Sequence, residues 1–422
     1  MNRGNISAIS TYLTQSGKRR IFLCSTCERT FSETRDTVFF DLKRPEEKII
    51  MALKMLLVKV ALSDIGFVLG VTEATVLEWL RRAAQKAEEI NAHLLRELPV
   101  TQVQLDEMWN FIRRKPAKEA GPDGESTALS EDGRQWVWIS FAPECRLILA
   151  AFVGPRTYES ALQLIQMTAA VVLGVPCFFS DGFSCYLSAL IEVYHTLTTF
   201  PRTGKPGRPK QPLKEPHPEL VYGQVIKKKQ KGRLQELVSR VRCGAKRLEE
   251  LGLSISTSLL ERLNLTLRQA LAPLVRKSAS FCKDRTQMRR RVVLFQAFYN
   301  FARPHMSLRG PLPDQEPHAS GLIQPKWRHR TPGMAAGLTD HVWTFRELLT
   351  AKFEPLHNQW SRQKSGGDSA VRSEFVIAGM IFHPSRVKSQ LLHKYIEQSF
   401  VEVTLLPACH REDVWLLALL HA

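Results

Sequence analysis

Acidic residues are in short supply in this chain: 41 Asp and Glu stand against 59 Lys and Arg, a formal charge of +18. An imbalance of that size points to a polyanionic partner; charge alone fits nucleic acid, a ribosomal protein or an anionic membrane surface. Long apolar runs are missing as well. No stretch of about 18 residues is apolar enough to span a bilayer, and the first twenty residues carry no signal-type apolar core. The sequence therefore implies a cytoplasmic protein with no membrane partner. Of eight cysteines only one pair is closely spaced, which excludes a disulfide framework and implies reduced thiols. Before Lys18 there is neither Cys nor His.

What is present has the composition of a globular protein: 422 residues, 44% hydrophobic and 24% charged, a length that implies two or three domains. The close pair, Cys24-Ser25-Thr26-Cys27, is one knuckle of a zinc ribbon. A closed Zn²⁺ site takes four ligands, so residues 1–45 read as a partial zinc-ribbon-like segment in which Cys24 and Cys27 form an incomplete site and Zn²⁺ is doubtful. Residues 46–97 have helix-turn-helix spacing. Ile49, Ile50, Leu53, Leu56, Leu57 and Val60 mark a first helix, Ser63 is placed to cap a second, Gly66 and Gly70 allow close approach and a turn, and Thr72 opens a third through about Ala84. A plain helical hairpin is the alternative. If the unit binds DNA, Thr72, Glu73, Thr75 and Arg82 are the candidate contacts.

From Val103 the pattern alternates as in α/β proteins. Strand-type runs at 103–112, 134–141 and 146–153 precede a helix at about 158–172, a strand ending at Asp181, a helix to about Tyr194, and a strand near Leu220–Ile226. Residues Pro116–Gly133 read as a long hairpin loop. The proline-rich and basic stretch Phe200–Pro218 excludes helix and central strand. It contains Gly207-Arg208-Pro209-Lys210, similar to a minor-groove hook, with Lys227, Lys228 and Lys229 close behind. A solvated loop is the alternative to phosphate tracking there.

Three carboxylates stand where chemistry could use them. Asp106 sits in the run VQLDEMWNFI, beside Glu107, either of which could be the exposed one; Asp181 ends VPCFFSDG, a strand buried on both faces. An Asp at the end of a buried parallel strand points into the crevice where such sheets bind ligands. As Asp-Gly it is also an ordinary turn signal or a helix cap. Glu261 lies off the apolar stripe Leu260, Leu263, Leu267, Leu271, Leu274, on a polar face with Asn264 and Arg268. Ser258 with Glu261 also reads as a capping box. Gathered at one point, three carboxylates require a divalent cation, and oxygen-only ligation suits Mg²⁺ or Mn²⁺.

The motifs LDEMW, FSDGFSCY, LLERLNLTLRQ, RKSASFCKDRTQMRRR, YNFARPHMSLR and TPGMAAGLTDHVWTFRELL, in this order, resemble those of bacterial insertion-sequence transposases of the Asp-Asp-Glu class. The resemblance covers about residues 18–355. It implies an α/β, ribonuclease H-like mixed-sheet catalytic core at 98–355, preceded by the half zinc-ribbon and the all-α helix-turn-helix. Asp106 and Asp181 are then expected on adjacent central strands, with Asp106, Asp181 and Glu261 catalytic and holding Mg²⁺ or Mn²⁺. The partners it implies are double-stranded DNA, both element ends and target, and further copies of the chain as a homo-oligomer on DNA. Phosphate contacts are expected from Arg268, Arg276, Lys277, Arg289 and Arg290, in a patch that includes Arg291, while His305 reads as phosphate contact or structural histidine. In the family a first Cys-x-x-Cys commonly precedes this one, so the chain is expected to start late. Residues 356–422 carry no family motif. A catalytically dead DNA-binding regulator and a ribonuclease H-like nuclease are the rival functions.

Overall fold

The structure, a computed structural model, describes residues 4–113, 133–200, 211–230, 233–275, 280–311 and 327–353, and two short strands near 380. It opens with an antiparallel sheet of β1 (Ile6–Thr14), β2 (Gly17–Cys24) and β3 (Thr30–Ser32). Three helices follow: α1 (Glu46–Leu56), α2 (Leu62–Leu69) and α3 (Glu73–Leu94). Helical spacing in α1 puts Ile49, Leu53 and Leu56 on one buried face, matched by Ile65 of α2 and Val76, Trp79, Leu80 and Ala83 of α3. The turn between α2 and α3 is set by two glycines. Gly70 closes α2 in the left-handed region at φ +60°, and a Cβ on Gly66 would stand 2.8 Å from the Val71 carbonyl oxygen. Thr72 caps α3, its hydroxyl accepting from the Thr75 N–H.

Two expectations for this unit are corrected. Helix α2 starts after Ala61, so Ser63 lies inside it and its hydroxyl bonds Asp64 rather than capping. Helix α3 runs beyond Ala84 to Leu94, because Ala87 and Ile90 continue its buried stripe.

The strand-type runs assemble into one mixed sheet. β4 (Gln102–Ile112), β5 (Gly133–Ala142) and β6 (Leu147–Gly154) are antiparallel neighbours. Helix α4 (Tyr158–Ala169), capped by Thr157, leads to β7 (Cys177–Ser180), parallel to β4. After α5 (Cys185–Val193), β8 (His195–Thr198) and β9 (Leu213–Pro216) form a small pair of their own, consistent with a proline-rich stretch barred from a central strand. β10 (Val221–Gln230) is parallel to β7, and β11 (Arg233–Cys243), which the sequence pattern did not announce, pairs with it antiparallel. The order is β11-β10-β7-β4-β5-β6. Residues 114–132, which hold most of the expected hairpin loop between β4 and β5, lie outside the described residues, as does Arg208.

Beyond the sheet come α6 (Ala245–Glu250), α7 (Ser258–Ala270) and α8 (Arg285–Ala297), the last continued by a π-turn at Phe298–Ala302. The leucine stripe splits: Leu260, Leu263 and Leu267 are buried on α7, while Leu271 and Leu274 are buried in and beside a 3₁₀ turn. Helix α8 covers the sheet at β6. There the buried Asn300 side chain accepts from Ile148 N–H at 3.0 Å and donates to Ile148 C=O at 2.9 Å, satisfying the backbone of an edge strand. The Asn of the YNFARPH motif is thus a packing device. The strands β12 (Gly310–Pro311) and β13 (Trp327–Arg328) pair, and α9 (Pro332–Ala335) and α10 (Phe345–Thr350) follow. One apolar core runs from Val38 to Leu349, through the helical unit and the sheet alike. Residues 363–422 form a separate unit, in which β14 (Phe375–Ile377) and β15 (Met380–Phe382) pair antiparallel. Among the described residues no helix is long and apolar enough to cross a membrane.

Candidate functional site

The parallel pairing of β4 and β7 aligns Leu105 with Ser180, so the residues that follow, Asp106 and Asp181, emerge side by side from adjacent central strands. Asp106 Oδ1 accepts the Glu107 N–H at 2.9 Å, and its Oδ2 accepts from Asn264 Nδ2 of α7. Asp181 Oδ1 accepts the Phe183 N–H at 3.1 Å, a tight local turn. Burial, and next the charge of Asp181, push the Asp106 carboxyl up to about 6.

Glu107 is the member the sequence left undecided, and it is buried rather than exposed. Its Oε1 accepts from Arg156 Nε at 2.9 Å and Nη2 at 2.7 Å, and its Oε2 from the Tyr186 hydroxyl at 2.9 Å. Burial and the Asp181 charge drive its carboxyl upward against the pull of Arg156. Oxygens of Asp106, Glu107 and Asp181 all lie within 4.8 Å of one another. Asp106 and Asp181 are half-buried beside the buried Glu107, and hard oxygen donors so grouped fit a divalent cation.

Glu261 lies in the first turn of α7 but outside that group of oxygens. Thr257, not Ser258, is the residue that precedes the helix, so the capping box expected from Ser258 and Glu261 is not formed. Instead Glu261 Oε1 accepts from the Thr257 hydroxyl at 3.1 Å and is ion-paired with Lys227 of β10. The helix is tied to β4 by two neighbours of Glu261. The Leu260 N–H donates to Gln104 Oε1 at 2.9 Å, and Asn264, one turn on, reaches Asp106. Asn264 was readable as a companion of Glu261 from helical spacing. Nothing in the sequence alone paired Glu107 with Arg156 and Tyr186, which come from three different elements.

The other candidate residues are scattered. Thr72 and Thr75, whose hydroxyls are 2.9 Å apart, line an open groove with Glu73, Arg44, Ser63 and Phe67. Arg82 is engaged internally, bound to Glu78 and to the Phe40 carbonyl. Arg268 donates to the Leu274 carbonyl at 3.2 Å, Arg289 pairs with Glu88 at 3.1 Å, and Lys228 with Glu236 at 2.9 Å. Arg290 is half-buried on α8; Arg291, expected in the surface patch, is buried beside Cys282 because α8 packs that face inward. Arg276, Lys277 and the side chain of Lys229 lie outside the described residues. His305 is half-buried, and burial, then nearby arginines, lower its pKa; its ring is edge-on to Tyr299. Cys24 and Cys27 flank a turn after β2, where backbone N–H groups of Cys27 and Thr26 draw the Cys24 thiol down. Among the described residues no third ligand joins them.

No protein-family model matches the chain, and no curated protein matches it. Among solved structures it is similar to a strand transfer complex of Mos1 (TM-score 0.14, 15% identity, 33% of this chain and 52% of that chain). It is also similar to a Mos1 transposase paired-end complex with the left transposon end (0.14, 15%, 34% and 56%). A third is a Mos1 mariner paired-end complex with Mn (0.14, 16%, 32% and 52%). The chain spans about half the length of each.

Proposed function

We propose that this chain is a DNA transposase with a ribonuclease H-like core, which binds the ends of its element and catalyses divalent-cation-dependent strand cleavage and strand transfer. The observation that carries this reading is the meeting of Asp106 and Asp181 on adjacent central strands, with carboxylate oxygens of Asp106, Glu107 and Asp181 within 4.8 Å of one another. Three antiparallel strands followed by two parallel ones in the order β6-β5-β4-β7-β10 support the ribonuclease H-like assignment. A bound Mg²⁺ or Mn²⁺, held by Asp106 and Asp181, would stabilise charge on the attacking and leaving oxygens of an in-line phosphoryl transfer.

The chain's own residues have separable tasks in this reading. Asn264 orients Asp106 through its amide. Glu261, one turn earlier on the same helix, is the third carboxylate, which exchanges Lys227 for the site once a DNA phosphate takes that lysine. The groove edged by Thr72, Glu73 and Thr75 reads the element ends, and Lys227, Lys228, Lys229, Arg290 and the segment around Arg276 and Lys277 follow phosphates, positioning duplex without reading it. Function as a homo-oligomer on DNA belongs to the same proposal.

One observation favours a second reading. Glu261 is paired with Lys227 and not gathered with the aspartates, as a catalytically silent regulator of the element would also permit. A nicking assay on end duplexes with Mg²⁺ or Mn²⁺, beside a gel shift on the same DNA, separates the two. The transposase reading expects parental nicking that Asp181→Asn abolishes while end binding persists; binding without any parental nicking selects the regulator.

A further inference from the structure

We propose that Arg156 is a positioning residue for Asp106 and Asp181: it braces the two carboxylates from the far side of the sheet through Glu107 and Phe183. This rests on the reading of the two aspartates as cation ligands, and it adds a residue that neither the motifs nor their spacing single out.

Arg156 lies in the short connection between β6 and α4. Two of its N–H groups converge on Glu107 Oε1, at 2.9 and 2.7 Å. Its guanidinium plane also stands over the Phe183 ring, 4.3 Å from the centroid, and near Trp136 at 5.1 Å. Glu107 follows Asp106 on β4, and Phe183 gives its backbone N–H to Asp181 at 3.1 Å. The path from one aspartate to the other is therefore closed by Arg156. Tyr186 completes the brace: its hydroxyl holds Glu107 Oε2 at 2.9 Å, and its ring meets Phe183 edge-on at 5.4 Å.

Glu107 lies close enough to Asp106 and Asp181 to be taken for a third ligand. Both of its oxygens are already committed, one to Arg156 and one to Tyr186. It serves as the anchor of the brace, and Arg156 pulls against the burial and the Asp181 charge that act on it. Partners that orient ligands from behind are worth about 10–100-fold in metal affinity.

A plain buried ion pair would also explain a loss of stability on mutation, so the test separates affinity from stability. Mn²⁺ binding to the full chain without DNA is followed by electron paramagnetic resonance of the free ion, and thermal unfolding is recorded for each protein. The parental chain is expected to bind Mn²⁺, and Asp106→Asn to lose that binding. Arg156→Met is expected to weaken it by about tenfold or more. The double variant Glu107→Met with Arg156→Met replaces a buried pair by apolar groups and is expected to regain parental thermal stability while Mn²⁺ binding stays weak. Arg156→Met binding Mn²⁺ as the parent does, or a double variant that recovers affinity together with stability, overturns the brace. A parent that binds no Mn²⁺, or binds it equally well as Asp106→Asn, overturns the cation-site reading and the brace with it.

Discussion

Replacing Asp106 with Asn removes a residue placed in the candidate site and is expected to make the metal-free protein more stable. In the folded chain burial and the Asp181 charge raise the Asp106 pKa from 3.8 to about 6. Between those values the folded state holds more protons than the unfolded state, so stability falls as pH rises across that window and stays lowered above it. At 1.36 kcal/mol per unit the displacement amounts to about 3 kcal/mol. Asn keeps the shape and can keep the polar contacts. Its amide oxygen can accept the Glu107 N–H, and its NH₂ can face Asn264, whose buried Oδ1 has no partner in the parental arrangement and becomes one if that amide turns over. Some of the gain is lost to imperfect fit, leaving roughly 1–3 kcal/mol, or about 2–4 °C for a unit of this size. Scanning fluorimetry in EDTA checks it at pH 4 and pH 7.5. The gain should be near zero at the lower pH and full at the higher, and Mg²⁺ should then raise the melting point of the parent but not of the variant. Destabilisation by Asp106→Asn at both pH values, or equal Mg²⁺ stabilisation of the two proteins, refutes the reasoning.

Glu261→Gln should fold like the parent, because its pair with Lys227 is between side chains 36% and 44% exposed and such pairs are worth at most about 1 kcal/mol; circular dichroism checks the fold, and strand nicking should fall steeply if Glu261 joins the aspartates on DNA. Gly66→Ala places a Cβ 2.8 Å from the Val71 carbonyl oxygen, a backbone atom that cannot turn away, so about 1–3 kcal/mol of stability should be lost. The same variant should weaken discrimination of element ends in gel-shift competition, and unchanged melting with unchanged discrimination would show that the α2–α3 turn tolerates the added carbon.

Local chemistry made part of this protein readable from its sequence. Alternation and apolar runs marked β4, β5, β6, α4 and β7 because side-chain period follows from backbone geometry within a few residues. Gly70 and Thr72 announced a turn and a cap for the same reason. Asp106 and Asp181 could be singled out as strand-borne carboxylates, since what makes them conspicuous is a charge in an otherwise apolar stretch. Other features depend on partners far away in the chain. Ser258 satisfies the capping-box pattern, yet Thr257 precedes α7 and Glu261 turns to Lys227. A basic run marked α8 as a surface patch, but packing against β6 and α3 buries Arg291. Glu107, indistinguishable in sequence from a solvated neighbour of Asp106, became the anchor of a buried network only when the fold brought Arg156 and Tyr186 to it. The sequence by itself determined where β4 to β7, α4 and the turn before α3 lie and which residues carry charge, but not β11 or the bounds of α2 and α3. Only the tertiary structure decided which charges are buried together, because burial and pairing are set by contacts between elements that no local pattern encodes.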